Sequence, residues 1–163
     1  IIESEDDCAL VFGELSQKKG RNGCPQPPKI GTKTDFPDIL FIVNTDKFNF
    51  DDPGTSRNLA KLLEYVRQCA GLQVLIEGHA SEEGKKERNQ VLSDMRAKRV
   101  QKWLIEQGVN PSVIFGAIGY GSSQPKVKEP KGNELKKISK QELEAIRKPN
   151  RRITVVIKKT CDD

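Results

Sequence analysis

The sequence predicts an α/β domain: an α+β sandwich in which two long helices pack on one face of a mixed sheet. Short apolar runs of strand length alternate with stretches whose apolar residues recur at helical spacing, and glycine or proline turns separate them. The order is strand, helix, strand, helix, strand, insertion and strand, which is typical of this layered architecture. At 163 residues, the chain is long enough for one such domain and a tail.

The first half of the domain is predicted to contain two strands and one helix. The apolar run 38–43 has the length and composition of a strand. Thr55 or Ser56 is positioned to cap a helix that continues to about Ala70, since its leucines and valine fall three and four residues apart. A second strand is predicted over 72–77, bounded by glycine on each side.

The second half is predicted to contain a longer helix and two more strands. The helix runs over about 85–107 and ends at Gly108, the residue type that favours the left-handed conformation just past a helix. Strands are predicted at 113–118 and 152–157. A polar, lysine-rich insertion over about 122–149 separates these two strands.

Two regions lie outside the regular alternation. Residues 1–37 are rich in glycine and proline and are predicted to form a linker or tail, so the domain is expected over 38–163. Within the insertion, Ser139 and Glu142 have the spacing of a capping box, which predicts a short helix to about Lys148.

Composition restricts the classes of partner. The formal charge of +5 is concentrated late in the chain, but aromatic residues make up only 6% and no nucleic-acid signature is present. We therefore expect a solvated basic face, or contact with polyanions such as envelope polymers, and no nucleic-acid partner. No window approaches the roughly 20 apolar residues of a membrane-spanning helix. Membrane attachment is expected only through parts outside this chain, since Ile1-Ile2-Glu3 does not resemble a signal peptide.

The sequence contains no catalytic or metal-binding pattern. There is no CxxC pair, and the single histidine, His79, has no partner at catalytic spacing. His79 is interpreted as a turn residue that hydrogen-bonds within its loop. No nucleophile–base pair is evident, so we expect no catalytic residues, no metal, no cofactor and no enzymatic activity.

The four cysteines are even in number. The spacing of Cys8 and Cys24 in a glycine- and proline-rich stretch predicts a local disulfide and an oxidising compartment. The alternative is four free thiols in a cytosolic protein.

Arg96 is a charged residue on an otherwise apolar stripe. It follows Leu92 by four residues and precedes Val100 by four, on the face that also carries Trp103 and Leu104. Desolvating a guanidinium alone would cost several kcal/mol, so Arg96 requires either an internal carboxylate or a bound anion. The planar guanidinium can pair with both oxygens of a carboxylate, whether that carboxylate is internal or belongs to a ligand. Chemistry alone favours the internal ion pair.

Four short segments in register carry a family resemblance. They are Gly78-His-Ala-Ser81, Asn89-Gln-Val-Leu-Ser-Asp-Met-Arg-Ala97, Gly119-Tyr-Gly121 with Pro125, and Asn150-Arg-Arg-Ile153. Over about residues 38–159, the chain resembles the OmpA-like, peptidoglycan-associated family. The resemblance implies a βαβαββ mixed sheet and a periplasmic domain that tethers an outer-membrane protein of a Gram-negative bacterium to peptidoglycan. In that family the domain binds the free carboxylate and amine of the diaminopimelate side chain in the stem peptide.

The resemblance also assigns roles to individual residues. It implies that Arg96 clamps the ligand carboxylate and that Arg151 adds a second cation. Asn89 would present an amide to the ligand, and Asn44, just after the first predicted strand, would add a polar contact. Of Arg151 and Arg152, one is expected to form only a surface salt bridge.

Ser81 departs from the family pattern. The family has an aspartate at this position, which pairs with the ligand ammonium, whereas a hydroxyl offers a neutral hydrogen bond of about half the strength. Glu82 or Glu83 is close enough in sequence to take over. Four outcomes are therefore open. These glutamates restore recognition of the ammonium, binding is weakened, or the domain recognises a different stem peptide. In the fourth, the domain is degenerate and acts as a structural or protein-interaction module of the envelope.

The surroundings of Arg96 distinguish these alternatives. A basic pocket around Arg96 and Arg151 that is open to solvent favours peptidoglycan binding. An Arg96 paired internally with Glu77, Glu82 or Glu83 favours the structural module, whose partners would be other envelope proteins.

The tail carries a resemblance of its own. Asp6-Asp-Cys8 and Gly23-Cys-Pro25 resemble the end of a thrombospondin type 3-like repeat, which supports the Cys8–Cys24 bridge and an envelope location. The Asp-x-Asp runs that would bind Ca²⁺ are absent from this segment. The two remaining cysteines, Cys69 and Cys161, are expected to bond to each other.

Overall fold

The computed structural model describes residues 28–36, 39–42 and 44–162. The predicted Cys8–Cys24 bridge and the repeat-like segment lie outside these residues. The elements, in chain order, are β1 (Lys33–Phe36), α1 (Pro53–Val66), β2 (Gln73–His79), α2 (Lys86–Glu106), β3 (Ile114–Gly119), α3 (Lys140–Arg147) and β4 (Arg152–Lys159). Short 3-10 helices cover Pro111–Val113, Gly132–Lys137 and Lys148–Asn150.

The four strands form one mixed sheet in the order β1-β4-β2-β3. β2 and β3 are parallel, as the helical crossover between them requires, and β4 runs antiparallel to both of its neighbours. The predicted fold class is therefore confirmed. The parallel pairing aligns the C-terminal ends of β2 and β3, so the loop after His79 lies beside the loop after Gly119.

The core lies on a single face of the sheet. Because side chains alternate along a strand, one face of β2 and β4 contributes buried aliphatic residues: Val74, Ile76, Ile153, Val155 and Ile157. Both long helices cover this face, α1 with Leu59, Leu62 and Val66, and α2 with Ala97, Val100 and Leu104. The prediction that both helices pack on one face is confirmed.

The first strand was predicted in the wrong place. Residues 39–42 form only an isolated bridge, between Phe41 and Phe48, and the edge strand is β1, which pairs with β4. β1 is short and polar at three of its four positions, so it lacks the apolar signal that 38–43 carries. The sheet thus includes residues that the sequence assigned to the tail.

The boundaries of α1 also differ from the prediction. The N-cap is Asp52, whose carboxylate accepts a 2.8 Å hydrogen bond from the backbone N–H of Gly54, and Pro53 begins the helix. Thr55 is instead buried within the first turn, where its hydroxyl accepts from the Leu40 N–H at 3.3 Å. The helix ends at Val66 rather than at Ala70. The remaining elements lie within two residues of their predicted bounds, and the Ser139–Glu142 capping box of α3 is confirmed.

Two glycines bring α2 into close contact with the sheet. A Cβ atom at Gly78 would overlap the backbone carbonyl of Ser93, and one at Gly119 would overlap the backbone of Asp94. Two α2 side chains also accept hydrogen bonds from the backbone at the end of β3 and in the loop that follows. The Asp94 carboxylate accepts from the Gly119 N–H at 3.1 Å, and the Ser93 hydroxyl accepts from the Gly121 N–H at 2.8 Å. The first half of α2 therefore has a fixed position relative to the ends of β2 and β3.

The predicted pair Cys69–Cys161 forms a disulfide, with a Cα–Cα distance of 5.6 Å. It joins the segment after α1 to the segment after β4, and a 2.7 Å hydrogen bond from the Asp162 N–H to the Ala70 carbonyl lies beside it. Within the described part of the chain, no helix combines the length and apolar character needed to cross a membrane.

Replacing both Cys69 and Cys161 with serine should lower the free energy of unfolding by roughly 2–5 kcal/mol, because the bridge closes a loop of 92 residues in the unfolded chain. Urea denaturation of the variant and of the oxidised protein measures the difference. Treating the oxidised protein with a thiol reductant should shift its midpoint in the same direction. Equal midpoints would show that the bridge does not form in solution.

Candidate ligand-binding site

Arg96 lies on the side of α2 that faces the loop before α1. It is half-buried, its Nε donates a 2.9 Å hydrogen bond to the carbonyl of Thr45, and its guanidinium carbon lies 4.9 Å from the ring centroid of Phe41. Both contacts leave the terminal nitrogens unused. Among the described residues, no carboxylate lies within ion-pairing distance of Arg96, so it is not neutralised by Glu77, Glu82 or Glu83.

The surroundings of Arg96 are predominantly positive. Burial, together with the charges of Arg151 and Arg88, lowers the pKa of Arg96 to about 10, against the opposing charge of Asp46. The guanidinium still carries its charge at neutral pH. A half-buried cation beside two others is electrostatically unfavourable, and this arrangement favours an anion from outside.

Asn44 lies in a turn whose backbone carbonyls orient Arg88 and Arg96. Its φ of 61° lies in the left-handed region, which asparagine tolerates better than most residues. The turn directs the carbonyl of Asn44 to Arg88, which donates a 3.0 Å hydrogen bond, and the next carbonyl, that of Thr45, to Arg96. The Asn44 backbone therefore positions two cations, and its side chain is exposed.

Ser81, Asn89 and Arg151 meet at the other end of the site. Ser81 is buried, and its carbonyl accepts a 3.2 Å hydrogen bond from the Asn89 side-chain amide. The Nε of Arg151 lies 3.4 Å from the Ser81 hydroxyl. Asn89 and Arg96 are seven residues apart, so they occupy the same side of α2 two turns from each other. The structure thus brings Ser81, Asn89, Arg96 and Arg151 onto one surface.

Arg151 is surrounded by carboxylates, in contrast to Arg96. Its two terminal nitrogens donate to the two oxygens of Glu144 at 2.6 and 2.8 Å, and Nη2 also contacts Glu83 at 3.2 Å. The hydrogen bonds to Glu144 raise the pKa of Arg151 above its ordinary value. Glu144 is on α3, so the insertion contributes directly to the site.

Glu129 connects the insertion to the site loop. It is almost fully buried, and its carboxylate accepts hydrogen bonds from the Arg147 guanidinium at 3.0 Å, the Asn150 amide at 2.9 Å and the backbone N–H of Glu82 at 3.0 Å. The side chain of Glu82 points instead to Lys131, at 3.3 Å. Of the two glutamates considered for the missing aspartate, Glu83 is therefore the one beside Arg151.

The outer face of the sheet carries a second polar cluster, and it changes the interpretation of His79. His79 is the last residue of β2 rather than a turn residue, because the strand continues two residues beyond its predicted end. Its Nε2 lies 3.0 Å from the carboxylate of Glu77, its ring stacks on Tyr120, and its Nδ1 has no hydrogen-bond partner among the described residues. On β4, which lies beside β2 in the sheet, Arg152 forms an ion pair with Asp35 of β1 at 3.5 Å.

A cavity of about 440 Å³ lies near the N-terminus of α2, lined by Lys86, Glu87, Gln90, Tyr120, Gly121, Ser122 and Ser123. None of the predicted site residues lines it. Within the described residues, no cluster of three or more histidine, cysteine or acidic side chains has the geometry of a metal site.

Sequence reasoning missed several residues of the site. Arg88, Phe41 and Thr45 surround Arg96, and Glu129 and Glu144 come from the insertion. Among these residues, only Glu144 has a sequence signal, because the capping box at Ser139 predicts the helix that carries it. The capping box does not predict which side of that helix faces the domain.

A mixed four-stranded sheet, two helices on one face and a charged site at their edge define a small two-layer α/β domain. The OmpA family profile matches residues 43–139, more than half of the chain, and the chain belongs to this family. It is 41% identical over 89 residues to the peptidoglycan-associated lipoprotein of Pseudomonas aeruginosa, covering 53% of this chain and 52% of that protein. It is 37% identical over 83 residues to the outer membrane porin F of Pseudomonas fluorescens, covering 48% of this chain and 25% of that protein.

Solved structures share the fold. The peptidoglycan-associated lipoprotein of Burkholderia pseudomallei superposes with a TM-score of 0.55 at 22% identity, over 73% of this chain and 87% of that one. A periplasmic domain of Helicobacter pylori MotB superposes with a TM-score of 0.57 at 20% identity, over 85% of this chain and 89% of that one. At these identities the likeness concerns the fold alone. This chain spans about half of the lipoprotein and a quarter of the porin to which it is similar in sequence.

Acidification should destabilise the domain through His79. Burial lowers the pKa of His79 below its ordinary value of 6.5, and the charge of Arg152 acts in the same direction, against the hydrogen bond with Glu77. The unfolded chain therefore binds a proton more readily than the folded one. The resulting stability is present at neutral pH and is lost as the pH falls through 6.5, by at most about 1.4 kcal/mol per pH unit.

Urea denaturation at pH 7 and pH 5 tests this, with His79→Gln as the comparison. The variant should lose less stability over this interval than the wild type. Equal losses would assign the pH dependence to other groups.

Removing the Glu129 carboxylate should release the insertion from the site loop. Glu129→Ala leaves the Arg147 guanidinium and the Glu82 N–H without their acceptor, and we expect a loss of about 3 kcal/mol in the free energy of unfolding. Amide hydrogen exchange should accelerate in residues 81–84 and in α3. The control Glu64→Ala, an exposed position on α1, should change stability by less than about 0.5 kcal/mol. Unchanged exchange in Glu129→Ala would contradict this linking role.

Proposed function

We propose that this domain binds peptidoglycan non-covalently, through the diaminopimelate-type side chain of the stem peptide, and tethers an outer-membrane protein to the cell wall. The observation that carries the proposal is Arg96, a half-buried guanidinium with two cations near it and no carboxylate partner among the described residues. The fold holds this charge in place by a backbone carbonyl and an aromatic ring, which leaves its terminal nitrogens available to an external carboxylate.

The contacts of Arg96 leave one edge of its guanidinium for a carboxylate. Phe41 covers one side of the guanidinium, and the Thr45 carbonyl occupies its Nε. The two terminal nitrogens remain for an incoming group, and a carboxylate can accept from both of them at once. Arg151 lies on the same surface with its carboxylate partners, and Asn89 holds the Ser81 loop there through its side-chain amide.

Membership of the OmpA family supports the cell-wall ligand. The similar lipoproteins of Pseudomonas and Burkholderia are named for their association with peptidoglycan, and the segments of the family pattern include Asn89 and Arg96. Similarity to outer membrane porin F and to the periplasmic part of MotB supports a periplasmic location in the envelope. The Cys69–Cys161 bridge fits an oxidising compartment.

A second candidate function is a structural or protein-interaction module of the envelope that retained the fold and lost the ligand. The observation that favours it is at Ser81, where the family aspartate is missing and Arg151 is already satisfied by Glu144 and Glu83. In this case the partners would be other envelope proteins. Arg96 would then be a cation left without a counterpart, which is the weakness of this alternative.

Titration of the domain with a soluble stem peptide containing diaminopimelate tests the proposal. We expect saturable binding, and Arg96→Ala should weaken it by at least about thirtyfold, because truncating one partner of a desolvated charge pair costs 2 kcal/mol or more. Arg96→Lys should recover part of the affinity, since an ammonium keeps the charge but lacks the bidentate fork. Isothermal calorimetry gives the dissociation constants.

The matched control is Arg57→Ala, which removes the same charge from an exposed position on α1 and should leave affinity unchanged. Folding of each variant is checked by circular dichroism. A folded wild-type domain that does not bind the peptide would exclude the tether and favour the structural module.

A further inference from the structure

We propose that Arg151 gathers Glu83 and Glu144 into one anionic group that binds the ligand ammonium, in place of the aspartate that Ser81 replaces. We call these three side chains the acidic triad. The inference rests on the proposed function, because it concerns the second half of the same ligand. It assigns a recognition role to the insertion, through Glu144 on α3.

The hydrogen-bond donors of Arg151 are used by Glu83 and Glu144, so they are not available to a ligand carboxylate. Both terminal nitrogens donate to Glu144, Nη2 also contacts Glu83, and Nε lies 3.4 Å from the Ser81 hydroxyl. Each nitrogen of the guanidinium therefore faces an internal acceptor. Glu144, held by this pairing, has a pKa below its ordinary value, so it is ionised at neutral pH.

The acidic triad has a net negative charge. One guanidinium and two carboxylates sum to −1, which equals the charge of the missing aspartate. Arg151 contacts the Ser81 hydroxyl through Nε and the two carboxylates through its terminal nitrogens, so this charge lies about one guanidinium length beyond the position of the missing aspartate. The side chains of Glu83 and Glu144 are 61% and 59% exposed, so their remaining oxygen lone pairs are accessible to an ammonium group from solvent.

The insertion holds Glu144 at this position through a buried anchor. Arg147, three residues after Glu144 and so on the same side of α3, is paired with the buried Glu129. Glu129 also accepts from the Glu82 N–H, one residue before Glu83. The same carboxylate thus fixes the two backbone segments that carry the glutamates of the acidic triad.

The two halves of the site together fit a zwitterion. Arg96 provides a cation that pairs with no carboxylate of the described residues, and the acidic triad provides an excess of negative charge at the Ser81 end of the same surface. A ligand end that carries both a carboxylate and an ammonium complements both halves. A ligand with only the carboxylate would leave the triad without its counter-ion.

The test compares two peptides on the intact chain: the diaminopimelate stem peptide, and the same peptide with its side-chain amine acetylated. The wild type should bind the free amine about tenfold more tightly, which corresponds to ~1.4 kcal/mol. Glu83→Gln/Glu144→Gln should lose about tenfold for the free amine and bind both peptides with similar affinity. Glu64→Gln, an exposed glutamate on α1, is the matched control and should behave as the wild type.

A rescue variant separates recognition from structural damage. Ser81→Asp in the Glu83→Gln/Glu144→Gln background places a carboxylate next to Arg151 and should restore the preference for the free amine. If the wild type binds both peptides equally, or if the double variant binds like the wild type while Arg96→Ala does not bind, the acidic triad has no role and the peptidoglycan proposal stands. If the wild type binds neither peptide, the proposed function fails and this inference fails with it.

Discussion

The close approach of α2 to the sheet is the constraint on which the site depends. It requires residues without side chains at Gly78 and Gly119, because α2 lies where their Cβ atoms would be. The carboxylate of Asp94 then accepts a hydrogen bond from the last residue of β3, and the hydroxyl of Ser93 accepts one from the loop that follows. With the helix fixed in this way, Asn89 meets the loop after β2 and Arg96 meets the turn at residues 44–45, so one rigid element positions both ends of the site.

The two arginines of the site surface, Arg96 and Arg151, have opposite electrostatic surroundings. Arg96 is desolvated and lies near other cations, whereas Arg151, on the same surface, holds two carboxylates. The difference arises from the backbone: the turn at Asn44 offers Arg96 only a carbonyl, and α3 offers Arg151 a glutamate. On the binding that we propose, this contrast between Arg96 and Arg151 is what would distinguish a zwitterionic ligand from a simple anion.

The insertion is an integrated part of the domain. Glu129 is buried with the Arg147 guanidinium, the Asn150 amide and a backbone N–H of the site loop as its donors, and a carboxylate with that many partners tolerates burial. The asparagine of the Asn150-Arg-Arg segment also accepts from the N–H groups of Lys126 and Val127. The segment just before β4 therefore fixes the insertion to the domain.

The class of fold and most element bounds follow from local periodicity, turn residues and capping motifs, which short stretches of consecutive residues carry. The Cys69–Cys161 pair follows from the cysteine count, since these two remain once Cys8 and Cys24 are assigned to each other, and the disulfide is present. Tertiary packing alone places the polar β1 at the edge of the sheet and buries His79 against Glu77. It also decided that Glu144 reaches Arg151. These contacts join residues whose pairing depends on how distant segments pack, and a single sequence contains no periodic signal for such pairs.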